Sequence, residues 1–201
     1  MVILASLKDY FELAAPEYIP LGLTGFIAGF VFSSNSFVFS VSFFNAFLSV
    51  LFLLAGYLSF NAVSDRKIDS INKPYRPIPR GAITSKHAFY ISLIFFSIAI
   101  VFGFLVNLVF FGVITSTLLL SVLYSFPGVN LKRRFGLGTI CVNLLYTVFI
   151  PLAGWALMPT NPIPWVLVSF LFFFGLGTAV LKDFEDVPGD MEYGARTLPG
   201  V

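Results

Sequence analysis

Asn61, Asp65 and Asp69 follow one another at four-residue spacing directly after an uncharged run of eighteen residues, FFNAFLSVLFLLAGYLSF. On a helix that spacing turns each side chain about 40° from the last and leaves all three on one stripe. The surrounding segment, NAVSDRKIDSINKPYRPIPRG (61–81), holds two Asp, five Arg or Lys and three Pro. A second acidic set, Asp183, Asp186 and Asp190, lies in LKDFEDVPGDMEYGARTLPGV near the other end of the chain. There Pro188 and Gly189 argue against a regular helix. The two regions share a pattern: Asp65 and Asp69 are followed by RPIP (76–79), and Asp186 and Asp190 by RTLP (196–199). Two such patterns suggest an internal repeat with paired function.

Carboxylates crowded along one stripe repel unless a positive charge sits between them. Hard oxygens at this spacing suit Mg²⁺, which takes one or two carboxylates and fills its remaining positions with water and phosphate oxygens. Two acidic sites facing each other would hold two ions around one diphosphate. Arg76, Arg80, Lys132, Arg133, Lys182 and Arg196 are the candidates for its remaining contacts. Each single base reads more readily as a juxtamembrane charge beside anionic lipid, the reading that fits Lys86 and Arg134. The two acid pairs taken together favour the metal reading.

These clusters need elements that carry them to the same place. The chain has 201 residues, 58% hydrophobic and only 11% charged, with a mean hydropathy of +0.92. Soluble chains carry about a quarter charged residues, so this composition describes an integral membrane protein. Apolar blocks over 19–32, 37–60, 87–106, 108–126, 138–158 and 163–181 predict six helical spans in an all-α transmembrane bundle forming a single domain over 1–201. All twelve Lys and Arg and all ten Asp and Glu fall in four connections on one side, 1–18, 61–86, 127–137 and 182–201. The positive-inside rule therefore predicts a multi-pass protein of the cell membrane with the charged face and both termini cytoplasmic. The first twenty residues lack a positive leader region and read as an interfacial helix entering the first span. Cys141 is alone and inside a span, a small core-filling residue.

Quoted side by side, NAVSDRKIDSINKPYRPIPRG and KDFEDVPGDMEYGARTL resemble the two signatures of the UbiA superfamily of intramembrane prenyltransferases. The first of these runs Asn-Asp-x-x-Asp-x-x-x-Asp with a trailing Pro-x-Arg-Pro-Ile-Pro loop. The second runs Lys-Asp-x-x-Asp-x-x-x-Asp with a trailing Gly-x-Arg-Thr-Leu. The resemblance implies that Asn61, Asp65 and Asp69 hold one Mg²⁺, and that Asp186 and Asp190, helped by Asp183, hold another. It implies diphosphate contacts from Arg76, Lys132, Arg133 and Lys182. The NKPYRPIPRG form is closest to archaeal enzymes that add a geranylgeranyl chain to geranylgeranylglyceryl phosphate, while quinone-precursor enzymes carry close variants. The expected partners are thus a prenyl diphosphate and a lipid or aromatic acceptor such as 4-hydroxybenzoate, with no nucleic acid. Position 62 is Ala where many members have an Asp. The superfamily usually has nine spans, so this chain reads as a fragment, active or inactive, a truncated gene product, or a shorter variant completed by another chain.

The chemistry implied is allylic substitution: charge on a departing diphosphate is neutralised and the cation left behind forms in a dry cavity. Tyr124 and Tyr146 lie on spans near the basic loop, where aromatic faces can stabilise such a cation. His87 reads as a helix-start residue. Asn143, polar at membrane depth, fits a cavity wall or an interhelical hydrogen bond. Gly22, Gly25, Gly29, Gly175 and Gly177 fit close helix packing. A lipid-alcohol phosphotransferase is disfavoured by the absence of its Asp-Gly…Ala-Arg motif. A transporter-like or lipid-binding protein without catalysis is disfavoured because no charge lies near the membrane midplane.

Overall fold

A computed structural model of the chain describes residues 5–34, 39–134 and 136–192, with side chains described up to 178 apart from Arg133. Every regular element among them is helical. Helix α1 (Leu7–Leu13) starts at Ser6, whose side chain and that of Asp9 cap each other's backbone reciprocally. A 3₁₀ turn over Pro16–Tyr18 leads into α2 (Ile19–Ser34), and α1 meets this segment at 47°. Thus α1 leaves the axis of the first span, as an interfacial helix does. Its Leu7 and Phe11, one turn apart, are exposed.

Helix α3 (Val41–Asn72) is 32 residues long. At 1.5 Å per residue it spans about 48 Å, well beyond the ~30 Å of a hydrocarbon core. The predicted span ends at residue 60; the helix runs on for three further turns, and those turns carry Asn61, Asp65 and Asp69. Nothing in 61–72 breaks a helix, and the first Pro, at 74, falls just past its end. Helices α4 (Ser85–Phe104) and α5 (Leu108–Ser125) follow, with Thr84 and Asn107 as their N-caps. Helix α3 packs against both.

The fifth predicted span is one apolar stretch, Leu137–Trp155, built from three pieces. These are α6 (Leu137–Leu144), a π-helical turn over Leu145–Phe149, and α7 (Ile150–Trp155). Pro151 has no N–H to donate, which accounts for the local change of winding before it. Helix α8 (Trp165–Glu192) closes the described chain. It remains helical through Pro188 and Gly189, against the sequence expectation.

Among the described residues four helices are long and apolar enough to cross a membrane, and the bent α1–α2 pair makes a fifth. The apolar part of α8, Trp165–Thr178, is shorter than those. The core lies where α2, α3, α5 and α7 meet, around Phe26, Val50, Leu53, Phe110, Ile114 and Ile150. Helices α2 and α7 touch backbone to backbone. A Cβ on Gly29 would lie 2.0 Å from the Pro151 carbonyl oxygen, and one on Gly154 would lie 2.1 Å from that of Phe26. The expectation of close packing holds also for Gly22 and Gly175, while a Cβ on Gly177 would meet nothing within 4 Å among the described residues. Outward-facing Leu93, Ile94, Val101, Phe104, Leu119, Phe170 and Phe173 are exposed, as lipid-facing residues of a multi-pass bundle are.

Candidate active site

The protruding end of α3 builds the site. Asn61 and Asp65, one turn apart, face the Leu131–Arg133 turn that follows α5. Lys132 reaches back across 67 residues of sequence to form an ion pair with Asp65, and its Nζ also lies 3.3 Å from Asn61 Oδ1. The same Asn61 oxygen accepts a hydrogen bond from Ser125 Oγ at 2.9 Å. Ser64 Oγ in turn donates to the Ser125 carbonyl at 2.7 Å, stapling α3 to the end of α5. Two hard oxygens, from Asn61 and Asp65, thus converge on one positive centre. That donor set suits a small hard cation such as Mg²⁺.

Asp69 takes a different partner. It is 4% exposed and accepts a hydrogen bond from Arg76 Nη1 at 3.1 Å. A recess beside this pair is lined by Glu12, Leu13, Ala62, Pro77, Ile78 and Pro79. Position 62 lies seven residues before Asp69, about 20° away around the helix. The alanine there packs with Leu13, Ile83 and Ala88 in a small apolar cluster beneath α1. An aspartate at 62 would therefore face α1 and the Asp69 recess, and would stand off the stripe of Asn61 and Asp65.

Arg80 turns to α1. Its guanidinium is engaged by Asp9 and by Glu12 Oε2 at 2.8 Å, both on α1, and Nη1 donates to the Tyr75 carbonyl at 2.8 Å. These partners hold Arg80 toward α1, away from the Asn61 and Asp65 oxygens that meet Lys132. Hydrogen bonds from the Ser6 side chain and backbone, then from Arg80, hold the Asp9 carboxyl at about 2, below its ordinary 3.8.

Just membrane-ward of the acids lies an aromatic group that sequence reading found only in part. Tyr57 is 6% exposed and stands 6.0 Å from the Tyr124 ring and 6.2 Å from that of Tyr146. Lys132 Nζ lies 6.0 Å from the Tyr124 centroid. Tyr57 precedes Asn61 by four residues, so extending the acidic stripe one turn back would have found it. The arrangement therefore runs from charge to aromatic rings to apolar wall along the bundle axis.

Other sequence candidates resolve into packing roles. Asn143 Nδ2 donates to the Phe172 carbonyl at 2.9 Å, and a Cβ on Gly175 would lie 2.2 Å from Asn143 Oδ1. Asn143 is thus an interhelical tie between α6 and α8. His87 sits in the first turn of α4, where its backbone N–H donates to Thr84 Oγ1 and its ring stands edge-on to Tyr10. The side chains of Arg133, Lys182, Asp183, Asp186 and Asp190 lie outside the described residues, as does Arg196. The backbone of α8, which carries 182–190, packs against α3 and α6. Among the described residues no three His, Cys, Asp or Glu side chains cluster.

Residues 22–201 match the UbiA prenyltransferase family. The digeranylgeranylglyceryl phosphate synthase of Methanosphaera stadtmanae is 31% identical over 193 residues, covering 96% of this chain and 68% of the relative. The enzyme of the same name from Sulfurisphaera tokodaii is 31% identical over 195 residues, covering 96% and 69%. Among solved structures, a UbiA homolog from Archaeoglobus fulgidus bound to DMAPP and Mg²⁺ superimposes with a TM-score of 0.82 at 20% identity, covering 96% of this chain and 68% of that one. A digeranylgeranylglyceryl phosphate synthase superimposes with a TM-score of 0.78 at 28% identity and the same coverage. The chain therefore spans about two thirds of the length of these relatives, and it belongs to the UbiA prenyltransferase family.

Proposed function

We propose that this protein transfers a prenyl group, geranylgeranyl by preference, from its diphosphate to geranylgeranylglyceryl phosphate at the membrane, with Mg²⁺ as cofactor. The observation that carries the reading is the convergence of Asn61 and Asp65 on Lys132, whose Nζ lies 6.0 Å from the Tyr124 ring that neighbours Tyr57 and through it Tyr146. The digeranylgeranylglyceryl phosphate synthases it resembles over nearly its whole length support the choice of acceptor.

When bound, Mg²⁺ supplies charge neutralisation to the departing diphosphate. Asn61, Asp65 and Asp69 would hold one ion, and Asp186 and Asp190 with Asp183 the other. Lys132 and Arg76, with Arg133 and Lys182, would meet the remaining diphosphate oxygens. Lys132 is suited to this because it already stands between the acids and the rings. The rings of Tyr57, Tyr124 and Tyr146 would face the allylic carbon as positive charge grows on it, each worth about 2 kcal/mol when desolvated. The apolar wall behind them would exclude water, so that the acceptor hydroxyl captures the cation and gives its proton to the departing diphosphate. The charged face, with the end of α3, would be cytoplasmic.

The test is incubation in nanodiscs with Mg²⁺ and labelled geranylgeranyl diphosphate, offering geranylgeranylglyceryl phosphate and 4-hydroxybenzoate separately. Label moving to the glyceryl phosphate lipid is the expected result. Label moving to the aromatic acid alone would replace the acceptor. No transfer to either acceptor, by protein that binds the diphosphate, would overturn the reading.

A further inference from the structure

Between Asn72 and Thr84 the chain folds on itself in a series of tight turns. The Arg76 N–H donates to the Lys73 carbonyl at 3.0 Å, that of Arg80 to Arg76 at 3.1 Å, and that of Gly81 to Ile78 at 3.0 Å. These bonds shape the loop but do not fix it to the rest of the molecule. Other contacts do. Among the described residues, Arg76 bonds to Asp69 at 3.1 Å, Lys73 N–H donates to the Asp69 carbonyl at 2.8 Å, Ile83 and Ile78 pack with Leu13, Ala62 and Ala88, and Arg80 is gripped by Asp9 and Glu12 of α1. The grip is built from both ends. Asp9 is fixed by the Ser6 N–H at 2.6 Å and the Ser6 hydroxyl at 2.7 Å, while Arg80 is tied to its own loop through the Tyr75 carbonyl at 2.8 Å. Helix α1 also contributes Glu12 and Leu13 to the wall of the recess that holds Asp69 and Arg76.

We propose that Asp9 and Glu12 form, through Arg80, a latch by which α1 sets the position of the 73–83 loop and hence of the Arg76 guanidinium. In this account Asp9, Glu12 and Arg80 are positioning residues that never touch substrate. The geometry favours positioning over plain stability. One guanidinium joins two carboxylates on one element to a carbonyl on another, and the loop so held carries a phosphate-binding candidate four residues away. Only the identity of the ligand, a prenyl diphosphate, rests on the transferase reading.

The experiment compares the full chain in nanodiscs with Arg80→Met, Arg80→Lys and the double variant Asp9→Asn/Glu12→Gln. Amide exchange of 73–83 and the binding of inorganic pyrophosphate with Mg²⁺ are measured first, then KM and kcat for the prenyl diphosphate. Because small displacements of binding groups carry large costs, Arg80→Met is expected to weaken pyrophosphate binding and raise KM about tenfold, with kcat changed less than about twofold. Exchange should quicken in the loop but not in α3 or α4. Arg80→Lys should recover most of the loss. The double variant, which keeps Arg80, should reproduce Arg80→Met, and it decides the matter if Arg80→Met fails to fold. A double variant with wild-type KM beside a weakened Arg80→Met would mean that Arg80 meets the phosphate itself, and the latch is overturned. Unchanged loop exchange in both variants overturns it as well. If the wild type turns over no prenyl diphosphate, the transferase reading falls, while exchange and pyrophosphate binding still decide the latch.

Discussion

Lys132→Met should move two affinities in opposite directions. In the structure the Lys132 ammonium pairs with Asp65 and lies 3.3 Å from Asn61 Oδ1, with side-chain exposures of 8% for Lys132 and 16% for Asp65. It therefore stands where a divalent ion held by those oxygens would stand. Two unit charges about 4 Å apart interact by roughly 4 kcal/mol at an effective dielectric of 20. Much of that is offset by desolvation of both ions, leaving on the order of 1.4 kcal/mol, about a tenfold change in an equilibrium constant. Methionine keeps the length of the side chain and removes the charge. Mn²⁺ binding without substrate, followed by the paramagnetic signal of the free ion, should tighten about tenfold because no tethered cation competes. Binding of labelled prenyl diphosphate should weaken by a similar factor, because a cationic phosphate contact is lost. Metal affinity that is unchanged or lowered in Lys132→Met would refute the reasoning, since Lys132 would then not share the ion's place.

Three further outcomes follow from particular contacts. Gly29→Val should destabilise the bundle by about 3 kcal/mol or more, since its Cβ would meet the Pro151 carbonyl at 2.0 Å and neither backbone can yield; thermal unfolding in detergent checks this. Asp9 titrates at about 2 in the folded protein, below its ordinary 3.8, so its contribution to the latch is complete above about pH 4 and lost as pH falls through 2. Carboxyl-carbon NMR should show the Asp9 midpoint rising toward 3.8 in both Ser6→Ala and Arg80→Met. Asn143→Leu should cost about 1–3 kcal/mol by removing the tie to the Phe172 carbonyl and crowding Gly175, with KM for the prenyl diphosphate unchanged in the folded fraction.

What could be read from the chain was what helical periodicity and charge density encode locally. The four-residue spacing of Asn61, Asp65 and Asp69 placed them on one helix end, and α3 carries them there. Hydropathy located the apolar blocks to within a few residues. It could not show that the helix of the second block continues for three further turns, because a polar helix end resembles a loop in composition. Pairings across long separations were equally hidden. Lys132 meets Asp65 only because α5 returns the chain to the charged face, and Arg80 meets Asp9 only because α1 folds back over the loop. Nothing local distinguishes Arg76, which turns to Asp69, from Arg80, which turns away. Tyr57 was within reach of periodicity, one turn before Asn61, but it sits in an unbroken apolar run where aromatic residues are ordinary. Asn143 shows the converse: a polar residue at depth signals a partner, and here the partner is the Phe172 carbonyl of α8.

The claim on which the account depends is that the acids of α3 and those of α8 act on one diphosphate. The most direct measurement is a structure of the full chain with Mn²⁺ and a non-hydrolysable prenyl diphosphate, with the metals located by anomalous scattering. The account predicts two ions bridged by one diphosphate, one within about 2.2 Å of an Asp65 oxygen and the other equally close to Asp186. Ions bound without either carboxylate, or a diphosphate that meets the acids of α3 but none from α8, would contradict it.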